Sequence, residues 1–141
     1  AQITLPDAPE VVCHPDVQHL RTGITGQLKA AATIFDLVAA LHPTPAVGGL
    51  PRQQAMDWLN NNEALDRGWY AGPIGWINAS GDGEFVVAIR SVLMAPTSAA
   101  AFAGCGLIAD SVPEDEWEES QIKLQTVRQG LAVAPHASAE R

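Results

Sequence analysis

The stretch from Gly104 to Lys123 constrains the fold of this chain more than any other. An apolar, strand-like run ends in Gly104–Gly106, where a backbone with little side-chain bulk lets a ligand approach closely. Ser111, Pro113 and Glu114 then give the start signal of a helix, because Ser and Glu three positions apart are the pattern of a capping box. The sequence therefore predicts a strand that turns at a pair of glycines into a helix.

Two carboxylates and one amine are spaced to share a face of that helix. Glu116 and Glu119 stand three positions apart and Lys123 follows Glu119 by four, so their side chains project in the same direction. Oxygen ligands suit Mg²⁺, which proteins usually hold with one or two carboxylates plus an anionic substrate. The spacing favours a site for a metal and a dianion, and an ordinary solvated helix face is the alternative interpretation of the same pattern.

Four more blocks carry residues suited to binding: Val17–Leu20, His42–Pro51, Asp66–Trp76 and Gly83–Arg90. With the glycine turn and its helix, these blocks resemble, in order and spacing, the chorismate-utilising enzymes, a family that includes isochorismate, salicylate, anthranilate and aminodeoxychorismate synthases. The resemblance runs from about His19 to Leu131. It implies chorismate as the substrate and Mg²⁺ as the cofactor.

The resemblance also assigns roles to individual positions. Glu119 would be a direct Mg²⁺ ligand and Glu116 a nearby, water-mediated one, both orienting the ring carboxylate of the substrate. His19 would be the catalytic histidine, beside the enolpyruvyl ether. The residues expected to hold the enolpyruvyl carboxylate are Tyr70, Arg90, the backbone at Gly104 and Gly106, and Lys123. These groups would act by orientation and charge neutralisation.

Ala46 distinguishes between the reactions of the family. Members that form salicylate, anthranilate or aminodeoxychorismate tend to carry a hydroxyl residue at this place, whereas isochorismate synthases carry alanine, as this chain does. The resemblance thus implies an isomerase that converts chorismate to isochorismate, with Ala46 in the substrate-binding wall. Gly75–Phe85 and Cys105 favour the siderophore (2,3-dihydroxybenzoate) branch over menaquinone biosynthesis. No glutamine amidotransferase partner is expected, and a salicylate or aminodeoxyisochorismate synthase stays open as the alternative.

Length separates this chain from that family, whose members fold as a unit roughly three times longer. The chain has 141 residues, and the lysine base, the glutamate acid and the other metal-binding glutamate of the family lie upstream of the matched blocks. We therefore predict a C-terminal fragment that is inactive without the N-terminal part of the same enzyme, its expected partner. A non-catalytic remnant that acts through protein contacts is the rival hypothesis.

Composition excludes other classes of function. Hydrophobic residues at 47% and charged residues at 17% fit a globular protein. A net charge of −8 argues against a nucleic-acid partner, since binding to phosphates needs clustered Lys and Arg. The longest apolar run, residues 30–41, is too short to cross a bilayer, so we expect no membrane association and a cytoplasmic location.

The pattern of elements predicts an α+β fold, the C-terminal portion of the chorismate-binding α/β fold, with an antiparallel sheet packed with helices. The expected organisation is a loop-like lead-in at 1–18, the chorismate-binding part at 19–131 and a disordered tail at 132–141. Helices are predicted at Lys29–Leu41, Pro51–Asn62 and Val112–Gly130, and strands at Trp69–Asn78, Glu84–Met94 and Ala99–Ala109.

Overall fold

The first part of the chain consists of two antiparallel strand pairs. The computed structural model describes residues 2–13 and 18–133, with side chains as far as residue 131. Strand β1 (Gln2–Thr4) pairs with β4 (Thr25–Gln27), and β2 (Glu10–Cys13) pairs with β3 (Gln18–Arg21). The predicted lead-in loop is therefore wrong for these segments, because short runs with alternating or β-branched residues here find partners within the next 25 or so positions.

Three helices follow, and their ends lie where local sequence signals place them. Helix α1 (Ile34–Leu41) begins later than predicted, because Thr33 caps it in a reciprocal box with Asp36. It ends at His42, whose successor Pro43 forces it out of the helical region. Helix α2 (Pro45–Gly48) is a single turn, and helix α3 (Arg52–Asn62) starts directly after Pro51, in agreement with the prediction.

The second half of the chain holds two hairpins instead of the three-stranded sheet that was predicted. Strand β5 (Pro73–Ile77) pairs with β6 (Gly83–Val87), and β7 (Ser91–Met94) pairs with β8 (Ala99–Phe102). The strand predicted at Glu84–Met94 is interrupted at Arg90, whose φ of 50° is a left-handed conformation outside the β region.

Helix α4 (Pro113–Val133) closes the described part of the chain and lies against β8. It extends three residues beyond the predicted end at Gly130. The rest of the predicted tail, residues 134–141, lies outside the described residues, as does Val17 of the first sequence block. Antiparallel strand pairs combined with helices confirm the α+β class.

Few side chains of the described chain are buried. The buried apolar residues are Ala71, Ala88 and Val127, at 7%, 9% and 9% exposure. Ala71 and Ala88 join the segment before β5 to the end of β6 through the bond from Ala71 N to Ala88 O at 2.8 Å. Among the described helices, none is both long and apolar enough to cross a membrane.

Candidate functional site

A cavity of about 400 Å³ lies where α2, the segment after α3, the β6–β7 break, the glycine turn and α4 meet. This volume is within the range of about 300 to 1,000 Å³ that is usual for small-molecule sites. Every residue predicted to bind the substrate lines it: Ala46, Tyr70, Arg90, Gly104, Gly106 and Lys123. The structure thus brings together positions that are up to 77 residues apart in the sequence.

Positive charge exceeds negative charge along the wall of this cavity. The positively charged lining residues are Arg67, Arg90 and Lys123. The negatively charged one is Glu63. Glu63 is committed to Arg67, whose Nε and Nη2 donate to its two carboxylate oxygens at 2.6 Å each. Arg90 has no ion pair in the described part of the chain. An anionic ligand would therefore find a free guanidinium here.

Arg90 owes its position to the break between two strands. It lies between β6 and β7 with a φ of 50°, which is uncommon for a residue with a side chain. Ala88 N donates to Gly72 O at 2.8 Å and Ile89 N donates to Val87 O at 2.8 Å, so the backbone before Arg90 is held on both sides. Strain of this kind is characteristic of functional positions.

Tyr70 forms one wall of the cavity and is fixed by its neighbours. Its ring stacks on Phe102 with centroids 5.4 Å apart and planes 20° from parallel. Its backbone N–H donates to Arg67 O at 2.8 Å. Burial raises the pKa of the Tyr70 phenol, so the hydroxyl is neutral and can donate a hydrogen bond to a carboxylate at physiological pH.

The glycine turn allows the close approach that the sequence predicted. A Cβ placed on Gly104 would lie 3.1 Å from the hydroxyl oxygen of Tyr70, so a side chain there would press on that ring. Around Gly106 a Cβ would meet nothing within 4 Å, which leaves its backbone open to a ligand. Between them, the Cys105 thiol is half-buried, and burial together with a hydrogen bond to Glu116 raises its pKa. Cys105 is therefore a neutral thiol at physiological pH.

Lys123 connects helix α4 to this turn. Its Nζ donates to Gly104 O at 3.2 Å and forms an ion pair with Glu119, one turn earlier on the same helix. The Glu119 side chain is 52% exposed, whereas that of Lys123 is 24% exposed. Of the three residues predicted on this face of α4, Lys123 lines the cavity, and Glu119 is paired with it.

Glu116 lies against the other side of the glycine turn. It lines a neighbouring cavity of about 400 Å³ that shares Cys105 with the first one. The Ser111 hydroxyl donates to Glu116 Oε1 at 2.5 Å, and this bond, followed by one from the Cys105 thiol, lowers the pKa of Glu116. Ser111 accepts at the same time from Ile108 N at 3.0 Å. The predicted capping box with Glu114 is therefore replaced by a bond to Glu116.

The residues predicted to hold a metal are two carboxylates of α4, Glu116 and Glu119. Within residues 2–13 and 18–133, no group of three or more His, Cys, Asp or Glu side chains could hold an ion. Two carboxylates match the number that a protein usually supplies to Mg²⁺, with water and substrate completing the octahedron. The hydrogen-bonded, ionised Glu116 and the half-exposed Glu119 thus fit Mg²⁺ in donor type and charge.

Three predicted site residues are absent from the lining of the cavity that holds the predicted substrate-binding residues. Glu116 lines the neighbouring cavity, and Glu119 lines neither of the two. His19 lies on β3, opposite Val12 in the β2–β3 pair, and is exposed. Its assignment as the catalytic histidine stays a prediction.

Sequence reasoning missed Glu63 and Arg67. Glu63 caps the end of α3 and Arg67 follows four positions later, and both line the cavity. Arg67 also donates from Nη1 to Val47 O at 2.9 Å, across 20 positions of sequence. The available signal was the pair of opposite charges four positions apart. This spacing brings two side chains together within a helix, but Glu63 and Arg67 lie after the end of α3.

The comparison with known families identifies the class. A family model described as "Chorismate binding enzyme" matches residues 1–132, so the chain belongs to the chorismate-binding enzymes, as the sequence blocks predicted. Among curated relatives, isochorismate synthase MenF of Bacillus subtilis is 50% identical over 131 residues, which are 93% of this chain and 28% of the relative. The salicylate biosynthesis isochorismate synthase of Pseudomonas aeruginosa is 48% identical, over 92% of this chain and 27% of the relative.

A solved structure confirms the fold. A crystal structure described as a putative 2,3-dihydroxybenzoate-specific isochorismate synthase, DhbC from Bacillus anthracis, superposes with a TM-score of 0.87 at 36% identity. It covers 93% of this chain and 35% of the crystallised chain. The chain thus spans about a quarter to a third of the length of the relatives it matches.

Proposed function

We propose that the protein containing this chain is an isochorismate synthase that isomerises chorismate to isochorismate. The observation that carries the proposal is the cavity with Arg90 and Lys123 in its wall beside a neutral Tyr70 hydroxyl and an open glycine turn. Such a wall suits a small dicarboxylate. The names of the relatives at 50% and 48% identity supply the reaction.

In this proposal the enolpyruvyl carboxylate is held by the cavity wall. Arg90 presents a planar fork to the two carboxylate oxygens, and the Tyr70 hydroxyl donates a third hydrogen bond. Lys123 adds a point charge next to the glycine turn, where its Nζ already lies 3.2 Å from Gly104 O. These groups fix the orientation of the ring and neutralise charge, which lowers the entropic cost of reaching the transition state.

The carboxylates of α4 are proposed to hold Mg²⁺ at the ring carboxylate of the substrate. Glu119 would be the direct ligand and Glu116 the water-mediated one. When bound, the ion would supply charge neutralisation and a fixed orientation of the ring carboxylate. Ser111 contributes by keeping Glu116 ionised through its hydrogen bond at 2.5 Å.

The chemical step needs a base and an acid that the proposal places outside these 141 residues. A base takes a proton from a water molecule while the oxygen of that water attacks the ring. An acid gives a proton to the departing hydroxyl, so one water molecule enters and one leaves. Neither group is assigned to the residues around the cavity. The relatives have about two thirds of their length beyond the matched part, and that part is the proposed partner.

Ala46 and Val47 favour isomerisation over pyruvate release. Both line the cavity and have apolar side chains. No hydroxyl is therefore available at this wall beside the enolpyruvyl ether. Salicylate synthase and aminodeoxyisochorismate synthase are the second candidates, and a non-catalytic remnant is the third. The siderophore branch, the absence of an amidotransferase partner and the cytoplasmic location stay predictions of the sequence.

Conversion of chorismate by the complete protein tests the proposal. We expect isochorismate, separated by chromatography, when Mg²⁺ is present and none in excess chelator. Glu119→Gln should lower turnover at least about 100-fold, since loss of groups that merely orient a metal ligand already costs about 10- to 100-fold. Glu118→Gln is the matched control, because this exposed neighbour projects about 100° away from Glu119 around the helix. Wild-type activity in Glu119→Gln would refute the ligand assignment.

A further inference from the structure

Arg67 makes contacts that neither the proposed metal site nor the proposed carboxylate clamp uses. Its three guanidinium nitrogens have three protein acceptors: the two carboxylate oxygens of Glu63, at 2.6 Å each, and Val47 O at 2.9 Å. The side chains of Arg67 and Glu63 are 30% and 25% exposed. Because its charge is matched by a bidentate carboxylate, Arg67 is poorly suited to capture a substrate anion, in contrast to Arg90.

The element that Arg67 contacts cannot hold its position alone. Helix α2 is a single turn of four residues, and its N-cap Thr44 makes no side-chain hydrogen bond to it. A helix this short does not repay the cost of nucleation. Of its carbonyl groups, Pro45 O accepts from Gly49 N within the turn, and the bond from Arg67 satisfies Val47 O.

Arg67 joins the two opposite walls of the cavity. Its side chain holds Val47, next to Ala46, and its backbone carbonyl accepts the N–H of Tyr70 at 2.8 Å. Ala46, Val47 and Tyr70 all line the cavity. Arg67 therefore links the wall that carries Ala46 to the wall that carries Tyr70, in addition to the packing of α2 against α3.

We infer that Arg67, oriented by Glu63, is a positioning residue that fixes the Ala46–Val47 wall against the Tyr70 wall and thereby sets the fit of the substrate ring. The inference rests on the proposed function for the identity of the ligand. It extends that function by assigning substrate positioning to Glu63 and Arg67. This pair contacts the cavity wall, and other groups contact the reacting atoms.

Three variants of the complete protein test the inference: Arg67→Gln, Arg67→Lys and Arg21→Gln. Arg67→Gln removes the guanidinium group. We expect KM for chorismate to rise about tenfold, and the midpoint of urea unfolding to change less than KM does. Arg67→Lys can reach only one of the three acceptors and should fall between wild type and Arg67→Gln. Arg21→Gln is the matched control, since it breaks an ion pair with Glu10 in the β2–β3 hairpin, away from the cavity.

A double-mutant cycle separates positioning from a general loss of stability. If Arg67 acts through the α2 wall, the change in KM caused by Ala46→Thr should differ at least about threefold between the wild-type and Arg67→Gln backgrounds, because the substitutions share one structural element. Equal effects in both backgrounds, with kcat and KM per folded molecule unchanged by Arg67→Gln, would overturn the inference.

Amide hydrogen exchange gives a readout that does not depend on activity. The N–H groups of Val47, Gly48 and Gly49 bond to Thr44 O or Pro45 O within the turn. Arg67→Gln should speed their exchange at least tenfold, and Arg21→Gln should leave it unchanged. If the wild-type protein did not isomerise chorismate, the proposed function would be wrong. Hydrogen exchange would still show whether Arg67 holds α2. Unchanged exchange in Arg67→Gln would overturn the inference whether or not the protein is active.

Discussion

At the scale of single residues, the proposed choice of reaction depends on one small apolar side chain in the cavity wall. Ala46 lies on α2 and faces the same cavity as Arg90 and Lys123. In the proposed function, alanine at position 46 places no hydroxyl on this side of the enolpyruvyl ether. A hydroxyl introduced at this position could assist expulsion of pyruvate, the step that separates salicylate formation from isomerisation.

We predict that Ala46→Thr in the complete protein shifts products from isochorismate towards salicylate and pyruvate. Ala46→Val is the matched control, because valine has nearly the shape of threonine without the hydroxyl. Pyruvate release, followed with lactate dehydrogenase and NADH, should rise severalfold for threonine alone. An equal rise for valine would mean that bulk, and not the hydroxyl, decides the outcome.

The Glu63–Arg67 pair should make stability depend on pH. The hydrogen bond from Arg67 holds the pKa of Glu63 below its ordinary value. A carboxyl whose pKa is lowered by folding stabilises the folded state above its unfolded pKa, and this contribution is lost as pH falls through the folded pKa. The pair therefore stabilises at neutral pH and ceases to do so in acid.

We expect Glu63→Gln to lower the free energy of unfolding at pH 7 and to approach the wild-type value as the pH falls well below 4.5, the ordinary pKa of glutamate. Urea unfolding of the complete protein across this range is the measurement. Glu118→Gln, an exposed position without an ion pair among the described residues, is the control. A difference that stays constant with pH would contradict the predicted linkage.

The residues of the candidate site were predictable to different degrees. Arg90, Tyr70 and Lys123 lie in blocks whose order and spacing the family shares, and the cavity contains all three. Arg67 was not predictable, since its partner Val47 is 20 positions away and contributes only a backbone carbonyl, which has no side-chain signature.

At the scale of elements, local chemistry decides where helices begin and end. Thr33 accepts from Asp36 N at 3.2 Å, and Asp36 accepts from Thr33 N at 2.8 Å, so two backbone donors at the start of α1 are satisfied by side chains. Lys29–Ala32, which the apolar pattern assigned to this helix, precede the cap. A capping box thus takes precedence over periodicity.

Thr33→Ala should destabilise the protein by about 1 kcal/mol, the usual value of an N-cap side chain. Thr44→Ala is the matched control, because Thr44 is the N-cap of α2 but makes no capping bond. Urea unfolding of both variants in the complete protein measures the difference. Equal losses at the two positions would show that the hydrogen bonds of Thr33 do not stabilise α1.

Strand boundaries were less predictable than helix boundaries. The apolar run Glu84–Met94 resembles one strand, yet Arg90 adopts a left-handed φ and splits it into β6 and β7. The turn directs the Arg90 side chain to the cavity. Contacts with the segment before β5, such as the bond between Ala88 N and Gly72 O, help to define that turn, together with the local bond from Ile89 N to Val87 O.

At the scale of the whole molecule, the chain exposes more surface than a compact protein of its mass. Its accessible area is 11598 Å², compared with about 7,000 Å² expected for a folded monomer of this size. Large apolar side chains contribute to the excess, among them Trp69 at 78% and Leu20, Leu50 and Ile108 at 73%. Exposed apolar surface on this scale is typical of interaction sites and ligand grooves, and it promotes aggregation when it stays uncovered.

We predict that the 141 residues alone bind a hydrophobic dye and self-associate, whereas the complete protein does neither. When Trp69 and its apolar neighbours are exposed to water, self-association or dye binding removes them from it, which is favourable. Dye fluorescence and sedimentation velocity at several concentrations are the measurements. A monodisperse monomer without dye binding would contradict the prediction and show that this surface is tolerated in water.

The sequence by itself determined the class of the protein, the helix starts and the α4 face, because prolines, caps and the spacing of Glu116, Glu119 and Lys123 act locally and need no distant partner. The tertiary structure decided which of these groups share one cavity. It also decided that Arg67 ties two walls together, that Arg90 turns out of its strand and that His19 lies elsewhere. These outcomes depend on contacts between residues that are far apart in the chain. Such contacts form, and contribute to stability, only when the chain has folded.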